Sequence, residues 1–332
     1  MPMKRVRIAT RASRLALWQT RHVAATLQAA FPGIEVEEVE VVTKGDRVQD
    51  KPLYTVGGKA LFVSEVERLV AEGRADLAVH SLKDVPGDQE CAEGLGLIAF
   101  PEREDPRDVL ISKDGVELMS LPAGARVGTT SLRRAAQLGS HRPDLAYVTL
   151  RGNLETRLGK LADGQYDAIV LAAAGMKRLG YLEEWKHQVL GVETCLPAVG
   201  QGTLAIEGSV DDPAITELVA CLEHAPTRLV TEAERAMLVA LEGSCRVPIA
   251  GHARLLDGGH RLSMRGMVGD IDGTKLLTSS QDIFFQTRDH AGRVEEAQRC
   301  GLEVAEQLIA QGARELMRQA EATILQRTKT QS

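Results

Sequence analysis

Six arginines in this sequence stand at or just after the ends of apolar, strand-like runs. They are Arg11, Arg133, Arg134, Arg151, Arg157 and Arg178. Where strands and helices alternate, ligands bind outside the carboxyl ends of the strands and at helix N-termini. Residues 124–160 contain seven Lys/Arg against two Asp/Glu, although the whole chain has a net charge of −6. This concentration of guanidiniums predicts a binding site for a small polyanion, because their fork-shaped donors suit carboxylates.

Hydroxyl groups accompany several of these arginines at predicted helix starts. Ser13 follows Arg11 where the first strand becomes a helix, and Thr129 and Ser131 precede Arg133. Hydroxyls and free backbone N–H groups at a helix start bind anions. A serine there also serves simply as an N-cap, and an arginine pair can lie on a surface helix without a ligand. For a single strand–helix unit, both alternatives stay open. The recurrence of hydroxyls and arginines at the helix starts of successive strand–helix units favours an anion site.

Asp84 is the candidate acid or base. It directly follows a predicted strand, and Pro86 restricts the backbone just beyond it. A carboxylate beside Lys83 in a basic cleft accepts N–H bonds and stabilises a cationic intermediate. The alternative is a turn aspartate that bonds to its own backbone.

Cys245 is the candidate nucleophile. It follows a predicted helix in a turn of small residues, and Arg246 would favour its thiolate form. A lone cysteine is more commonly an inert buried residue, which is the prediction for the other four, Cys91, Cys195, Cys221 and Cys300. Neither the cysteines nor the histidines show the spacing of metal ligands, so no metal site is predicted.

The composition restricts the class of protein. A chain of 332 residues is long enough for two or three domains. Aromatic residues make up only 3%, which argues against base stacking on nucleic acid. No apolar run approaches the roughly 18 residues of a membrane span, and the N-terminus has no signal-peptide core. We therefore expect a cytoplasmic protein with free thiols and without nucleic-acid or membrane partners.

The positions of these residues depend on alternating strands and helices in the first two-thirds of the chain. Helices are predicted to begin near Ser13, Ser131, Asn153 and Ala173, each after an apolar strand. Such alternation predicts right-handed crossovers and mostly parallel sheets. Pro/Gly-containing crossovers at 101–106 and 196–202 predict two α/β lobes around a hinged cleft, and residues 203–207 are expected to return a strand to the first lobe.

The last third follows a different pattern. Strands near 249–255, 262–268 and 275–284 predict an antiparallel meander, followed by a helix over 293–325 that is interrupted near Gly312. The fold class is therefore α/β with a small C-terminal α+β domain. The domain boundaries follow as residues 1–99 with 200–217, residues 100–199, and residues 218–332. The polar stretch Thr43–Lys59 is either a mobile lid or a plain surface loop.

Short motifs along nearly the whole chain resemble the porphobilinogen deaminases, also called hydroxymethylbilane synthases. The matching segments are Arg7–Ser13, Val56–Lys59, Ala78–Pro86, Arg103–Asp108, Thr130 with Arg134, Arg151–Asn153, Leu196–Gly202 and Gly243–Pro248. In the cysteine motif, Ser244 and Arg246 replace the family's usual Gly and Gln. The cysteine itself is present, so this departure concerns only the geometry of the loop.

The resemblance implies an enzyme that joins four porphobilinogen molecules head to tail into hydroxymethylbilane and releases four ammonia molecules, in tetrapyrrole biosynthesis. It implies a dipyrromethane cofactor held by a thioether to Cys245, and a catalytic role for Asp84. Ligands for cofactor and substrate carboxylates map to Arg11, Ser13, Lys83, Thr129, Ser131, Arg133, Arg134, Arg151, Arg157 and Arg178, with Lys59 and Phe62 at the edge of the cleft. It also implies a monomer with two lobes that resemble periplasmic-binding proteins.

Two other functions remain open at this stage. A non-catalytic solute-binding protein would explain the arginine-lined cleft, but not Cys245 in a third domain. A DNA-binding regulator with a similar effector domain would need a basic helix-turn-helix, and no segment shows that pattern. A covalent pyrrole adduct distinguishes the enzyme from both. Within the basic segment, Glu155 is expected to point to solvent.

Overall fold

The computed structural model describes residues 4–43, 63–87, 91–242 and 247–330, with side chains up to residue 326. Its strands are β1 (Arg5–Arg11), β2 (Glu35–Val41), β3 (Leu77–Ser81), β4 (Leu95–Ala99), β5 (Asp108–Ser112), β6 (Arg126–Gly128), β7 (Ala146–Val148), β8 (Ala168–Ala172), β9 (His187–Val189), β10 (Leu204–Ser209), β11 (Ile249–Leu256), β12 (Arg261–Gly269) and β13 (Leu276–Phe284). Its helices are α1 (Arg14–Ala30), α2 (Ser64–Ala71), α3 (Leu132–His141), α4 (Leu154–Ala162), α5 (Ala173–Arg178), α6 (Tyr181–Glu184), α7 (Pro213–Val219), α8 (Ala225–Ala240), α9 (His290–Ala310) and α10 (Ala313–Thr330). Within these ranges, no helix is both long and apolar enough to cross a membrane.

The first sheet has the strand order β2-β1-β3-β10-β4. Strand β1 is parallel to both β2 and β3, whereas β10 is antiparallel to β3 and to β4. Four of its five strands therefore run in one direction, which confirms the prediction of a mostly parallel sheet. The reversed strand β10 is the predicted returning strand, and it brings Ile206 into the core beside Ile8 and Leu77.

The second sheet repeats this architecture, with the order β7-β6-β8-β5-β9 and only β5 reversed. The predicted strands β6, β7 and β8 are all present. Strands β4, β5 and β9 have no counterpart among the sequence predictions. Strand β9 is short and polar at His187 and Gln188, so its pairing with β5, rather than its own sequence pattern, makes it a strand.

The C-terminal region folds as predicted from the change of pattern. Strands β11, β12 and β13 form an antiparallel meander, against which α8 and α9 pack around Met237, Val304 and Leu308. The final helix is interrupted at Gly312, whose φ of +99° only glycine adopts without strain. Residues 213–240 form two helices, α7 and α8, which are separated by the 3-10 turn Ala220–Leu222 and by His224, the N-cap of α8.

The two chain segments that join the sheets run in contact with each other. The Glu104 N–H donates to the Gly202 carbonyl at 3.2 Å. Gly202 has a φ of +90°, and a Cβ at this position would lie 2.3 Å from the Glu104 carbonyl oxygen. Only glycine permits this close approach, which places the two connections side by side at the base of the cleft.

Candidate active site

Asp84 lies just beyond the carboxyl end of β3 in the first sheet. It belongs to the 3-10 turn Leu82–Asp84 that directly follows β3, and its side chain is exposed. Among the residues that the structure describes, none hydrogen-bonds to the Asp84 carboxylate, so the alternative of a self-bonded turn aspartate does not fit. The carboxylate is therefore open to solvent.

The cations of both lobes meet at this point. The Lys83 side chain is exposed, but protein atoms crowd its ammonium; this desolvation and then the positive charge of Arg134 lower its pKa to about 8, while Asp84 partly offsets them. Burial, Arg134 and Arg151 likewise lower the pKa of Arg157 to about 10. Charges shift one another's pKa values only at short range, so the four cations lie close together. They are Lys83, Arg134, Arg151 and Arg157. The structure therefore brings Asp84 and four predicted ligand residues into one cleft.

A buried aspartate that sequence reasoning missed holds two of the arginines. Asp108, at the start of β5, is fully buried and lies 2.8 Å from Arg133 Nη2 and 2.7 Å from Arg134 Nη2. Burial alone would raise the pKa of Asp108, but the two guanidiniums outweigh it and hold that pKa well below its usual range. Asp108 is thus a permanent anion beneath the basic cleft.

Gln201 extends this network to the first lobe. Lys83 Nζ donates to Gln201 Oε1 at 3.2 Å. Gln201 Nε2 in turn donates to Asp108 Oδ1 at 2.9 Å and to the Pro106 carbonyl at 2.7 Å. A continuous chain of hydrogen bonds therefore connects Lys83 beside Asp84 with the arginines of the second sheet. Asp108 and Gln201 both lie within motif segments of the sequence, but nothing in their spacing reveals this contact.

Arg133 and Arg134, two predicted ligand residues, have similar surroundings. Arg133 is 5% exposed and Arg134 7% exposed, and both guanidiniums pair with Asp108. Arg133 also donates through Nη1 to the Leu196 carbonyl at 2.7 Å, and Arg134 donates through Nη1 to the Val170 carbonyl at 3.0 Å. Both arginines are therefore held in place from beneath the cleft.

Two of the three predicted hydroxyl ligands, Ser13 and Ser131, act as helix caps in this structure. Ser13 Oγ accepts from the Ala16 N–H at 3.3 Å, and Ser131 Oγ accepts from the Arg134 N–H at 3.4 Å. Thr129 Oγ1 accepts from the Ser131 N–H at 3.1 Å. Each hydroxyl still has a proton to donate, so capping and anion binding are compatible. Arg11 is half-buried at the end of β1, and Arg151 is 8% exposed before α4.

Arg178 and Glu155 lie where the lobes meet. Arg178 Nη2 donates to the Gly202 carbonyl at 2.7 Å, its guanidinium stacks over the Trp18 ring at 5.8 Å, and burial lowers its pKa to about 10. The expectation that Glu155 points to solvent is wrong, because it pairs with Arg14 of α1 at 3.2 Å. A cation of the first lobe thus removes this carboxylate from the basic segment.

Cys245, Lys59, Phe62 and the loop beyond Thr43 lie outside the described residues. Of the other cysteines, Cys195 and Cys300 are buried as predicted, and burial raises the pKa of each thiol to about 12. Cys221 is exposed, which contradicts its prediction as a buried residue, because it lies in the surface turn Ala220–Leu222. Cys91 is half-buried.

Comparison with known proteins assigns the family. The family model described as "Porphobilinogen deaminase, dipyromethane cofactor binding domain" matches residues 6–217, and its C-terminal domain model matches residues 229–310. A curated porphobilinogen deaminase from Nitratidesulfovibrio vulgaris is 49% identical over 315 residues, covering 95% of this chain and 96% of the relative. The chain belongs to the porphobilinogen deaminase family.

The fold is α/β, with two five-stranded sheets and a small C-terminal α+β region. Similar solved structures include a periplasmic domain of Bordetella pertussis BvgS, 16% identical with a TM-score of 0.38, covering 71% of this chain and 92% of that one. The substrate-binding protein AbpA of Streptococcus pneumoniae, bound to L-arginine, is 14% identical with a TM-score of 0.35, covering 72% of this chain and 94% of that one.

The cofactor of the porphobilinogen deaminase family is a dipyrromethane, and the residues of the cleft fit this group. A dipyrromethane made from porphobilinogen carries several carboxylates. The cleft gathers cations, and burial together with their mutual repulsion lowers the pKa values of Lys83 and Arg157. Carboxylates bound among them would relieve that repulsion. Bonds to Asp108 and Val170 engage three of the five N–H donors of Arg134 among the described residues, which leaves two for a carboxylate.

Proposed function

We infer that this chain catalyses the stepwise head-to-tail condensation of four porphobilinogen molecules to hydroxymethylbilane, with release of four ammonia molecules. The enzyme is a transferase of tetrapyrrole biosynthesis. The observation that carries this inference is the clustering of Lys83, Arg134, Arg151 and Arg157 around Asp84, in a chain that belongs to the porphobilinogen deaminase family along nearly its whole length.

The proposed role of Asp84 is to steady positive charge on the substrate. Loss of ammonia leaves a pyrrole whose nitrogen bears positive character, and an exposed carboxylate at the strand end accepts that N–H. The same carboxylate holds and returns the proton that a pyrrole ring loses. Lys83 beside it, anchored on Gln201 at 3.2 Å, fixes the position of the turn.

The proposed role of the arginines is to hold carboxylates while the chain of pyrroles lengthens. Each porphobilinogen carries an acetate and a propionate, so every addition brings more negative charge into the cleft. Arg134, Arg151 and Arg157 suit this task because a guanidinium binds a carboxylate bidentately and stays charged. Arg11, Ser13, Thr129, Ser131, Arg133 and Arg178 complete the proposed set, with Lys59 and Phe62 at the edge.

Cys245 is the proposed anchor of the cofactor, through a thioether. When bound, the dipyrromethane supplies the pyrrole α-carbon to which the first substrate is joined. Support for Cys245 comes from its sequence motif and from the state of other cysteines. The thiols of Cys195 and Cys300 are buried with raised pKa values, and such thiols are poor nucleophiles.

We further propose that the chain divides into residues 1–99 with 200–217, residues 100–199, and residues 218–332. This division is supported by the sheets, since each of the three parts contains all the strands of one sheet. The proposed enzyme acts as a monomer in the cytoplasm, on a small-molecule substrate, and requires neither nucleic acid nor a membrane.

The deciding experiment is the intact mass of the denatured protein beside that of Cys245→Ser. We expect the wild-type protein to carry an excess equal to a dipyrromethane that survives denaturation, and the variant to lack it. Cys221→Ser is the matched control, because that cysteine is exposed elsewhere and should keep the adduct.

An unmodified wild-type protein would first be incubated with porphobilinogen. If its mass still did not change, the covalent cofactor and the proposed function would both be refuted, and a binding protein would be the remaining interpretation. If the adduct persisted in Cys245→Ser, the function would stand and the anchor would be reassigned to another residue.

A further inference from the structure

A small cavity lies against the first sheet, beside the two residues that follow Asp84. It has a volume of about 10 Å³ and is lined by Glu67 of α2, His80 of β3, Glu207 of β10 and Cys91, besides four apolar or proline residues. A space of this size accommodates one water-sized particle. Four side chains that commonly bind metals thus surround a space for one atom.

The sheet register places two of these side chains on one face. Ala78 pairs with Glu207, and His80 stands two residues further along the same strand, so His80 and Glu207 are diagonal neighbours. His80 Nε2 lies 2.7 Å from Glu207 Oε2, and both residues are buried. Helix α2 brings Glu67, whose Oε1 accepts from the Ala92 N–H at 2.8 Å.

The potential ligand atoms already lie close together. One oxygen each from Glu67 and Glu207 and the sulfur of Cys91 are all within 4.8 Å of one another. In a tetrahedral zinc site, with bonds of about 2.0–2.3 Å, ligand atoms are separated by roughly 3.3–3.8 Å. A contraction of about 1 Å would close the cluster around a single ion.

One buried carboxylate oxygen of the cluster faces no hydrogen-bond donor among the described residues. Glu207 is 1% exposed, lines the cavity, and its Oε1 has no hydrogen-bond partner within the described ranges. Arg235 of α8 is the cation that acts on Cys91. His80, which pairs with Glu207 at 2.7 Å, is the other group of the cluster that can carry positive charge. One guanidinium and one imidazole do not balance three potential anions.

We propose that Glu67, Cys91 and Glu207 form a zinc-binding site, in which His80 orients Glu207. A thiolate with carboxylates and a histidine partner selects zinc over magnesium or calcium, which prefer oxygen ligands alone. On binding, the Cys91 thiol transfers its proton to solvent and its sulfur bonds to Zn²⁺, while a water completes four-coordination. Zn²⁺ with Arg235 then balances the three anions.

The site would act on the strand that carries the candidate catalytic turn. Strand β3 contains His80 and ends immediately before Lys83 and Asp84. A zinc ion that connects α2, Cys91 and β10 around His80 would stiffen the base of that turn without touching the reacting groups. Its function is therefore structural, and it stands independently of the tetrapyrrole chemistry.

The test uses the holoenzyme after treatment with a chelator, so that the proposed thioether keeps Cys245 from binding metal. Zinc is added and bound metal is measured after dialysis, with Co²⁺ as a spectroscopic probe in a parallel titration. We expect one equivalent of zinc, and a thiolate-to-cobalt charge-transfer band in the near ultraviolet. Cys91→Ser should lose that band and bind zinc at least about tenfold more weakly.

Cys221→Ser is the matched control and should behave like the wild-type protein. Glu67→Gln provides a second variant that keeps the thiol and should also weaken zinc binding. If Cys91→Ser binds zinc as tightly as the wild-type protein, the site is wrong. If the wild-type protein takes up no equivalent and shows no cobalt band, the two carboxylates share a proton instead, and the proposal is overturned.

Discussion

At the scale of single residues, one buried carboxylate organises the positive side of the cleft. Asp108 pairs with Arg133 and Arg134 and receives the Gln201 amide. Without it, two guanidiniums would repel each other in a water-poor interior, and they would turn to solvent or lose their positions. The orientation of the Arg134 guanidinium towards a ligand therefore depends on Asp108 as well as on Arg134 itself.

Asp108→Asn is expected to destabilise the protein by about 3–5 kcal/mol at pH 7, because it removes the charge that compensates two buried cations. Folding lowers the pKa of Asp108 below its usual 3.8, so its contribution is present above that value and decreases as the pH falls below it. The difference in the free energy of unfolding between the wild-type protein and the variant should be about 1 kcal/mol smaller at pH 3 than at pH 7.

Urea denaturation of both proteins across pH 7 to pH 3 checks this expectation. Asp114→Asn, at an exposed aspartate of a surface turn, is the control and should change stability by less than about 0.5 kcal/mol. A stability difference that stays constant with pH would show that Asp108 acts through packing rather than charge.

Asp84→Asn is expected to retain the covalent cofactor but to lose turnover by about 10²–10⁴-fold, since an amide neither takes up a proton nor offsets charge. Turnover with porphobilinogen and intact mass are measured on the same preparation. The unfolding midpoint should change little, because Asp84 is exposed. Near-normal turnover in this variant would remove Asp84 from the mechanism.

At the scale of elements, helix starts and crossovers place the site. Ser13, Ser131 and Asn153 each cap a helix that begins where a strand ends, so the arginines beside them converge on one edge of the two sheets. The connections between the lobes then decide how the two edges face each other. The two connections contact each other at Gly202, where there is no space for a side chain.

Gly202→Ala is expected to be more destabilising than Gly124→Ala. Both glycines have positive φ, +90° and +78°, but a Cβ at residue 202 would overlap the Glu104 carbonyl, whereas nothing lies within 4 Å of one at residue 124. Strain of about 1–3 kcal/mol is common to both, and the overlap adds about 1–3 kcal/mol more.

Thermal unfolding and turnover of the two variants measure this difference. Gly202→Ala should also lose activity, because displacing residue 202 moves the Arg178 hydrogen bond and the neighbouring Gln201. Equal stability and activity in the two variants would mean that the crossovers adjust without cost.

At the scale of the whole molecule, a single glutamate connects the C-terminal region with both crossovers. Glu234 of α8 is fully buried and pairs with Arg103 at 2.6 Å. It also accepts from the Gly200 N–H at 2.7 Å and from the Ala253 N–H at 2.8 Å. The third domain thus holds the connections between the lobes, besides carrying Cys245 in its sequence.

The sequence by itself determined the fold class, most of the elements and the family. Helix starts at Ser131 and Asn153, the meander and the interruption at Gly312 follow from local patterns of caps, alternation and glycine. The candidate residues Asp84 and Cys245 follow from motifs, which are also local. Such features depend on near neighbours in the chain, and these are visible in a sequence.

Only the tertiary structure decided which distant residues meet. Three contacts join segments that are remote in sequence. Asp108 pairs with Arg133 and Arg134, Gln201 contacts Lys83, and Glu155 pairs with Arg14. The cluster around Glu207 draws its side chains from a helix, two strands and a loop, so no spacing rule predicts it. Burial sets the charge states of these groups, and burial exists only once the chain has folded.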